Sequence, residues 1–331
     1  MLNFGTIGSS WIVDEYINGA KDSELWKLTA VYSRTNNRGT EYAKKHGAEY
    51  VFTDVAEMAK SEVIDAVYIA SPNSLHFEHC KIMLENGKHV ICEKPLCAQT
   101  KKVIELNKIA KENNVIFLEA IMFMHLPQRK LLEDAISKIG PVCMAKIDFC
   151  QRSSKLDSYN SGVIPNIFNP SLETGSLMDL GVYCIYPAIH LFGVPDSFSG
   201  EAVILDTGAD VSGVITMKYP DKLVTLAYSK AGQAAANTDI QGNDGTVYVE
   251  SISRLANIHI NYTDGHIEEI CGDEKKFKLM GYEAKDFYRY ITRPEESKTE
   301  YEYCTDLNVK VARFMEQARK KLSIVFESDK I

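Results

Sequence analysis

From Leu2 to Ala120 short apolar runs alternate with amphipathic segments, and this alternation restricts the fold more than any other feature of the chain. "LNFGTIG", "WKLTAVYS", "EYVF", "DAVYIAS", "HVICEKP" and "VIFLEA" read as strands. Between them, "IVDEYINGA", "NRGTEYAKKHG", "DVAEMAK", "SLHFEHCKIMLENGK" and "QTKKVIELNKIAKENN" carry helical periodicity, with Gly47 and Gly87 as helix stops. Buried strands joined by helices imply parallel β-α-β units. Six strands in this order predict an α/β, doubly wound (Rossmann) parallel sheet ending near Glu119 or Ala120.

From Gly140 the texture changes. "PVCMAKIDFCQ", "FSGEAVILD", "DVSGVITMKYP", "KLVTLAYSK", "NTDIQGNDGTVYVES", "LANIHINYTDG" and "HIEEI" are strand-like and joined by turn signals such as "YPDK", "GNDG" and "TDG". Consecutive strands with short turns predict an α+β domain with a large, mostly antiparallel open sheet. Helical stretches precede, interrupt and follow it, the last being "GYEAKDFYRYITR" and "LNVKVARFMEQARKKL". The boundary falls at 120/121, giving domains 1–120 and 121–331.

Charge narrows the classes of partner. Asp and Glu outnumber Lys and Arg by 45 to 37, a net charge of -8, which leaves no basic face for nucleic acid or anionic lipid. No apolar run reaches membrane-spanning length. The opening "MLNFGTIG" has neither a basic n-region nor an apolar h-region, so no secretory signal is read. Eight cysteines are scattered without a CxxC pair. Reduced thiols in a cytoplasmic protein are the expectation, and no ligand spacing points to a metal.

Five motifs carry chemistry. In "GTIGSSWIV" a strand, a turn and a helix start make an anion site, because free N–H groups and the helix dipole face the ligand. Against G-x-G-x-x-G/A, Gly8 is present, Ser10 replaces the second glycine and Val13 the third, so a plain turn is the competing reading. Ser10 still presents its N–H, and its hydroxyl can cap the helix or touch a phosphate. The second strand ends in "YSRTNNR" without a carboxylate; Ser33 and Arg34 suit a 2′-phosphate, which favours NADP over NAD, unless Arg34 is only a surface residue. "ASPNSLHFEH" places Ser71, Pro72, Asn73 and His76 at a strand's carboxyl end beside the crevice, where Asn73 caps the helix, contacts a cofactor, or both. "CEKPL" ends the fifth strand: Pro95 fixes a bend, by a cis bond in one option, that aims Lys94 into the crevice rather than leaving it on a surface loop. In "GSLMDLGVYCIYPAIHLFG", Asp179 and Tyr183 are four apart and share a helix face, as a structural hydrogen-bond pair or as a proton-transfer pair.

In this order, "GTIGSSWI", "SPNSLHFEH", "CEKPL", "LEAIMFMHLPQ" and "ETGSLMDLGVYCIYPAIHLFG" resemble the Gfo/Idh/MocA oxidoreductases over nearly the whole chain. The likeness looks closest to the branch of dimeric dihydrodiol dehydrogenases and NADP-dependent D-xylose dehydrogenases, in which tyrosine stands where inositol dehydrogenases carry histidine. It implies a dinucleotide-binding domain at 1–120 and a substrate-binding and oligomerisation domain at 121–331. It implies catalytic roles for Lys94 and Tyr183, with Asp179 beside the substrate. Gly8, Ser9, Ser10, Trp11 and Ile12 then bind the pyrophosphate, Ser33 and Arg34 the adenosine end, and Ser71, Pro72, Asn73 and His76 the middle, while Glu93 and Lys94 lie near the nicotinamide. The implied partners are NADP, with NAD as the alternative, a sugar, polyol or trans-dihydrodiol, and a second copy of the chain through the open sheet, as a homodimer or higher oligomer.

The chain departs from the family pattern at Ser10, at Met124 and Asn166, where relatives carry arginines, and at Thr174-Gly175-Ser176, where they carry three glycines. The reaction implied is oxidation of a secondary alcohol, with Tyr183 as proton acceptor and Lys94 favouring its phenolate. The alternatives are an NAD-dependent inositol or amino-sugar dehydrogenase and a nucleotide-binding regulator without catalysis; retention of Lys94 and Tyr183 argues against the regulator.

Overall fold

The computed structural model describes residues 1–330. Among these residues, the strands form two sheets. β1 (Leu2–Ile7), β2 (Trp26–Tyr32), β3 (Tyr50–Phe52), β4 (Ala66–Ile69), β5 (His89–Glu93) and β6 (Phe117–Ala120) are ordered β3-β2-β1-β4-β5-β6. Every pairing in this sheet is parallel. The crossovers are α1 (Trp11–Asp22), α2 (Asn36–His46), α3 (Val55–Lys60), α4 (Asn73–Glu85) and α5 (Thr100–Glu112). Strand order reverses between β1 and β4, so the turns leaving these two strands flank the crevice of the sheet. The apolar runs explain the register: Val67, Ile69, Val90 and Cys92 are wholly buried, as strands covered on both faces must be.

α6 (Met122–His125) and α7 (Gln128–Lys138) follow, then β7 (Val142–Cys150), α8 (Lys155–Asn160), a wide π-helical turn at Leu177–Gly181, and α9 (Val182–Phe192). β8 (Ser197–Ile204), β9 (Asp210–Lys218), β10 (Leu223–Ser229), β11 (Thr238–Gly242), β12 (Gly245–Ser251), β13 (Ala256–Tyr262) and β14 (Ile267–Cys271) complete the second sheet. Its order is β14-β13-β12-β11-β7-β10-β9-β8, antiparallel except where β7 and β10 run parallel. α9 packs on β7 and β10, and α7 on β12 to β14. The opposite face is open, with Val214 and Leu223 exposed on paired strands.

The chain closes with α10 (Lys276–Thr292) and α11 (Pro294–Lys321). One compact unit comprises Met1–Met122 and Lys275–Ala312; the other comprises Phe123–Glu274 and the chain from Arg313. The single boundary expected at 120/121 therefore does not describe the packing, because residues 275–312 return to the first unit. Trp26 shows why. Its indole N–H donates to the carbonyl of Ala284 at 2.8 Å, and its ring stacks on Phe287 at 5.4 Å. Beside it α1 and α10 meet at Gly19 and Gly281. A Cβ on Gly19 would stand 2.5 Å from the carbonyl oxygen of Phe277 and 2.6 Å from the amide of Gly281.

In the second unit the segment entering α9 is fixed by a buried carboxylate. Asp210 is 0% exposed, and its Oδ2 accepts the amide of Leu177 at 2.6 Å. Gly175 leaves room for it, since a Cβ there would collide with Oδ1. A carboxylate suits the positive end of a helical segment. Burial nevertheless pushes Asp210 up to about 6, offset in part by the Leu177 amide and by the charge of Lys230.

Two outcomes follow from this packing. Gly19→Ala gains helix propensity of about 1 kcal/mol, but it meets backbone that cannot rotate away, so a net loss of about 1–3 kcal/mol is expected in urea denaturation. Asp210 holds a proton in the folded chain between pH 4 and pH 6, near its ordinary and its folded values, while the unfolded chain has lost it. Stability contributed by this group therefore falls as pH rises through that window. Asp210→Asn should gain on the natural protein by up to about 3 kcal/mol between these limits, read from denaturation midpoints at each pH.

Candidate functional site

The turn after β1 presents the first group of predicted residues. Gly8 has φ +122°, and a Cβ on it would lie 2.6 Å from the carbonyl oxygen of Ala70. The backbone here passes the turn after β4 at a distance that only glycine permits. Ser9, Ser10 and Trp11 are exposed and Ile12 is half-buried. Ser10 is the N-cap of α1, but its hydroxyl makes no capping bond, so only its backbone serves the helix start. An exposed helix N-terminus behind a glycine cradle fits a diphosphate, and the geometry accepts Ser10 without strain, at φ −81°.

After β2, Ser33 is half-buried with its amide donating to the carbonyl of Phe52 at 3.0 Å, and Arg34 is exposed. After β4, Pro72 caps α4 and Asn73 is its first residue, so Asn73 is not the N-cap. Ser71 and Asn73 are half-buried and Pro72 is exposed. His76 is different. It is 1% exposed, with Nε2 2.8 Å from the carbonyl oxygen of Ser71 and Nδ1 3.1 Å from that of Pro95. A neutral ring has one N–H and donates to only one of these carbonyls. Burial lowers its pKa, opposed by these carbonyls. His76 thus ties the turn after β4 to the turn after β5 from below.

That second turn, Glu93 to Leu96, contains a cis peptide between Lys94 and Pro95. Three buried side chains hold it. Tyr68, 0% exposed, is hydrogen-bonded to the Glu93 carboxylate; His76 contacts the Pro95 carbonyl; and Glu119 accepts the Leu96 amide at 2.9 Å. Burial raises the pKa of Glu93, while the charge of Lys94 and the Tyr68 hydrogen bond oppose the rise. Tyr16 stacks on Tyr68 at 3.9 Å. Behind them lies Glu283 of α10, 0% exposed, whose carboxyl oxygens have no protein hydrogen-bond partner. Burial pushes Glu283 well above the carboxylate range, with the charge of Glu93 adding to it. Lys94 itself is half-buried at the carboxyl end of β5.

In the second unit, residues 175–189 are buried with two exceptions, Asp179 and Tyr183. Asp179 lies in the π-helical turn and Tyr183 in α9, and each is part-exposed. The Tyr183 ring packs edge-on against Phe149 at 5.5 Å. Asp179 is ion-paired with Lys230. Met124 is buried, and the carbonyl of Asn166 accepts the Thr174 hydroxyl at 2.6 Å.

Sequence reasoning missed Tyr68, Glu119, Glu283, Asp210 and Lys230. Two of them carry a signal: Glu119 and Asp210 are carboxylates next to apolar runs, where a buried acid needs a purpose. Lys230 in "YSKAG" reads like any surface turn. Among the described residues no three His, Cys, Asp or Glu side chains converge as a metal site requires, and no helix is long and apolar enough to cross a membrane.

The comparisons bear on both halves of the chain. The family model described as "Oxidoreductase family, NAD-binding Rossmann fold" matches residues 2–120, and the "GFO/IDH/MocA C-terminal domain" matches residues 129–248. The chain is 42% identical to scyllo-inositol 2-dehydrogenase (NADP(+)) of Bacillus subtilis (strain 168), over 99% of each protein. It is 24% identical to trans-1,2-dihydrobenzene-1,2-diol dehydrogenase of Mus musculus, also over 99% of each. The expected nearness to the dihydrodiol branch is thus not what identity shows. In fold, it matches a 3-ketoreductase from Actinomadura kijaniata, crystallised with NADP and TDP-benzene, with a TM-score of 0.84 over 97% of each chain at 21% identity. Both domain matches and the full-length relationship lead to one conclusion: the chain belongs to the Gfo/Idh/MocA family of NAD(P)-dependent oxidoreductases acting on CH–OH groups.

Proposed function

We propose that this chain oxidises a secondary alcohol on a polyhydroxylated ring, a cyclitol or sugar, with NADP as acceptor. The observation that carries the reading is that Asp179 and Tyr183 alone reach the surface in the buried stretch 175–189. A helix buried on all other sides brings a carboxylate and a phenol out side by side, which suits hydroxyl recognition and proton transfer. The relationship to an NADP-linked inositol dehydrogenase supports the substrate class.

The cofactor, when bound, supplies the hydride acceptor at its nicotinamide. The protein's task is the proton and the orientation. Tyr183 takes the proton of the reacting hydroxyl, its ring held by Phe149. Asp179 accepts a hydrogen bond from a neighbouring hydroxyl. Lys94 supplies a fixed cation at the carboxyl end of β5, where the turn around it cannot drift. Gly8 to Ile12 receive the pyrophosphate, and Ser71, Pro72, Asn73 and Glu93 line the middle of the cofactor with His76 beneath them. Ser33 and Arg34 receive the 2′-phosphate. Self-association through the open face bearing Val214 and Leu223 is the proposed assembly.

NADP reduction with scyllo-inositol, myo-inositol and aldoses tests the reading directly. Tyr183→Phe and Lys94→Ala should each lower kcat by about 10²–10⁴-fold, the range of general acid–base catalysis, with NADPH affinity kept. Near-normal turnover in either variant removes that residue from the mechanism. Arg34→Ala should raise KM for NADP at least tenfold and leave KM for NAD within twofold; a variant that keeps its NADP preference refutes the role of this guanidinium.

A further inference from the structure

Lysine is seldom buried unless something requires its charge there. Lys230 lies just past β10 and is 6% exposed. Its ammonium is paired with Oδ2 of Asp179. Its backbone is held on both sides: the amide donates to the carbonyl of Val211 at 2.8 Å, and the carbonyl accepts the amide of Ser153 at 2.9 Å. The cation is therefore delivered from a fixed point, unlike a lysine on a mobile surface turn. The pair is also asymmetric, since the Lys230 side chain is 7% exposed and that of Asp179 is 38% exposed. The cation sits inside and the anion is the more exposed partner, in the stretch where Tyr183 is also part-exposed. Asp210, which fixes the start of the same helical segment, also feels the charge of Lys230.

A carboxylate on a helical turn can take more than one rotamer, and each offers a different acceptor direction. An inward ammonium on one oxygen removes that freedom. We infer that Lys230 is a positioning residue that sets substrate specificity: it fixes the Asp179 carboxylate so that it accepts a hydrogen bond from the hydroxyl adjacent to the one oxidised, selecting vicinal diols. The inference rests on the reading of Asp179 and Tyr183 as the substrate-facing pair. A site built to hydrogen-bond a hydroxyl discriminates strongly against an analogue lacking it, because its buried polar groups are then left unpaired.

The test compares the natural protein, Lys230→Met, Asp179→Asn and the double variant. The substrates are scyllo-inositol and a monodeoxy-inositol lacking the neighbouring hydroxyl. Lys230→Met should lower kcat/KM for scyllo-inositol at least tenfold, mostly through KM, and narrow the preference over the deoxy analogue by a similar factor. NADPH affinity, read by fluorescence, should stay within twofold. The double variant should be no worse than Asp179→Asn by more than twofold, because Lys230 acts through Asp179. A merely structural lysine would lower stability and leave the preference between the two substrates unchanged, which overturns the inference. So does a double variant whose loss equals the product of the single losses. Should Lys230→Met fail to fold, Lys230→Gln, which keeps a donor without the charge, is compared in the same way. The underlying reading is checked separately: if Asp179→Asn turns over scyllo-inositol like the natural protein, that reading falls and this inference with it.

Discussion

A buried polar group without a partner is among the costliest features a fold can carry, and the turn from Glu93 to Leu96 is organised around avoiding that cost. Its carboxylate, its proline carbonyl and its leucine amide are met by Tyr68, His76 and Glu119, which come from β4, α4 and β6. Two strands and a helix thus hold one short turn, and Lys94 inherits its position from them. A lysine on a free loop explores many rotamers; one projecting from a turn fixed at three points starts from a single backbone geometry. The same sheet sets the Gly8 turn against Ala70. The first unit therefore presents the Gly8 turn and Lys94 from a rigid rim.

The second unit reaches a similar result by electrostatics. Asp210 fixes the entry of the helical segment, Lys230 fixes its first outward side chain, and the close approach at Gly175 lets Asp210 in. The π-helical turn between them shifts the helical phase at the point where Asp179 emerges. Such turns inside helices recur at functional sites, where one side chain must be redirected without breaking the helix. Rigidity here comes from few charges placed at one end of a helix, in place of the many hydrogen bonds around Glu93.

Much of this was legible in the sequence because it is local. Strand and helix periods, glycine stops and the order of motifs depend on neighbours along the chain, and they mark both sheets and the four-residue spacing of Asp179 and Tyr183. What was not legible depends on distant partners. The return of α10 to the first unit is written in scattered residues such as Gly19, Gly281 and Trp26, which look unremarkable apart. The first half of α11 is rich in charge, yet Ser297 and Cys304 are buried in it, so its contacts outweigh its composition. The Ser10 hydroxyl was given a capping option that it does not use. The likeness to the dihydrodiol branch rests on tyrosine in place of histidine at position 183; both side chains can transfer a proton, so this position says little about which ring a member of the family oxidises.

Under the proposed function, the charge pattern of the second unit bears on what the substrate ring carries. Lys230 is a cation close to the surface of Asp179 and Tyr183, but it points inward and its charge is met by Asp179. Met124 and Asn166, where relatives hold arginines, bring no cation. A phosphate or carboxylate on the substrate would face the outward carboxylate of Asp179 without a compensating cation from these positions, and like charges brought together in a partly buried site repel. Hydroxyl groups meet no such penalty and can donate to the carboxylate. With Asp179 facing the substrate as proposed, the arrangement would favour a neutral, hydroxyl-rich ring over an anionic sugar derivative, by repulsion of the second as much as by attraction of the first.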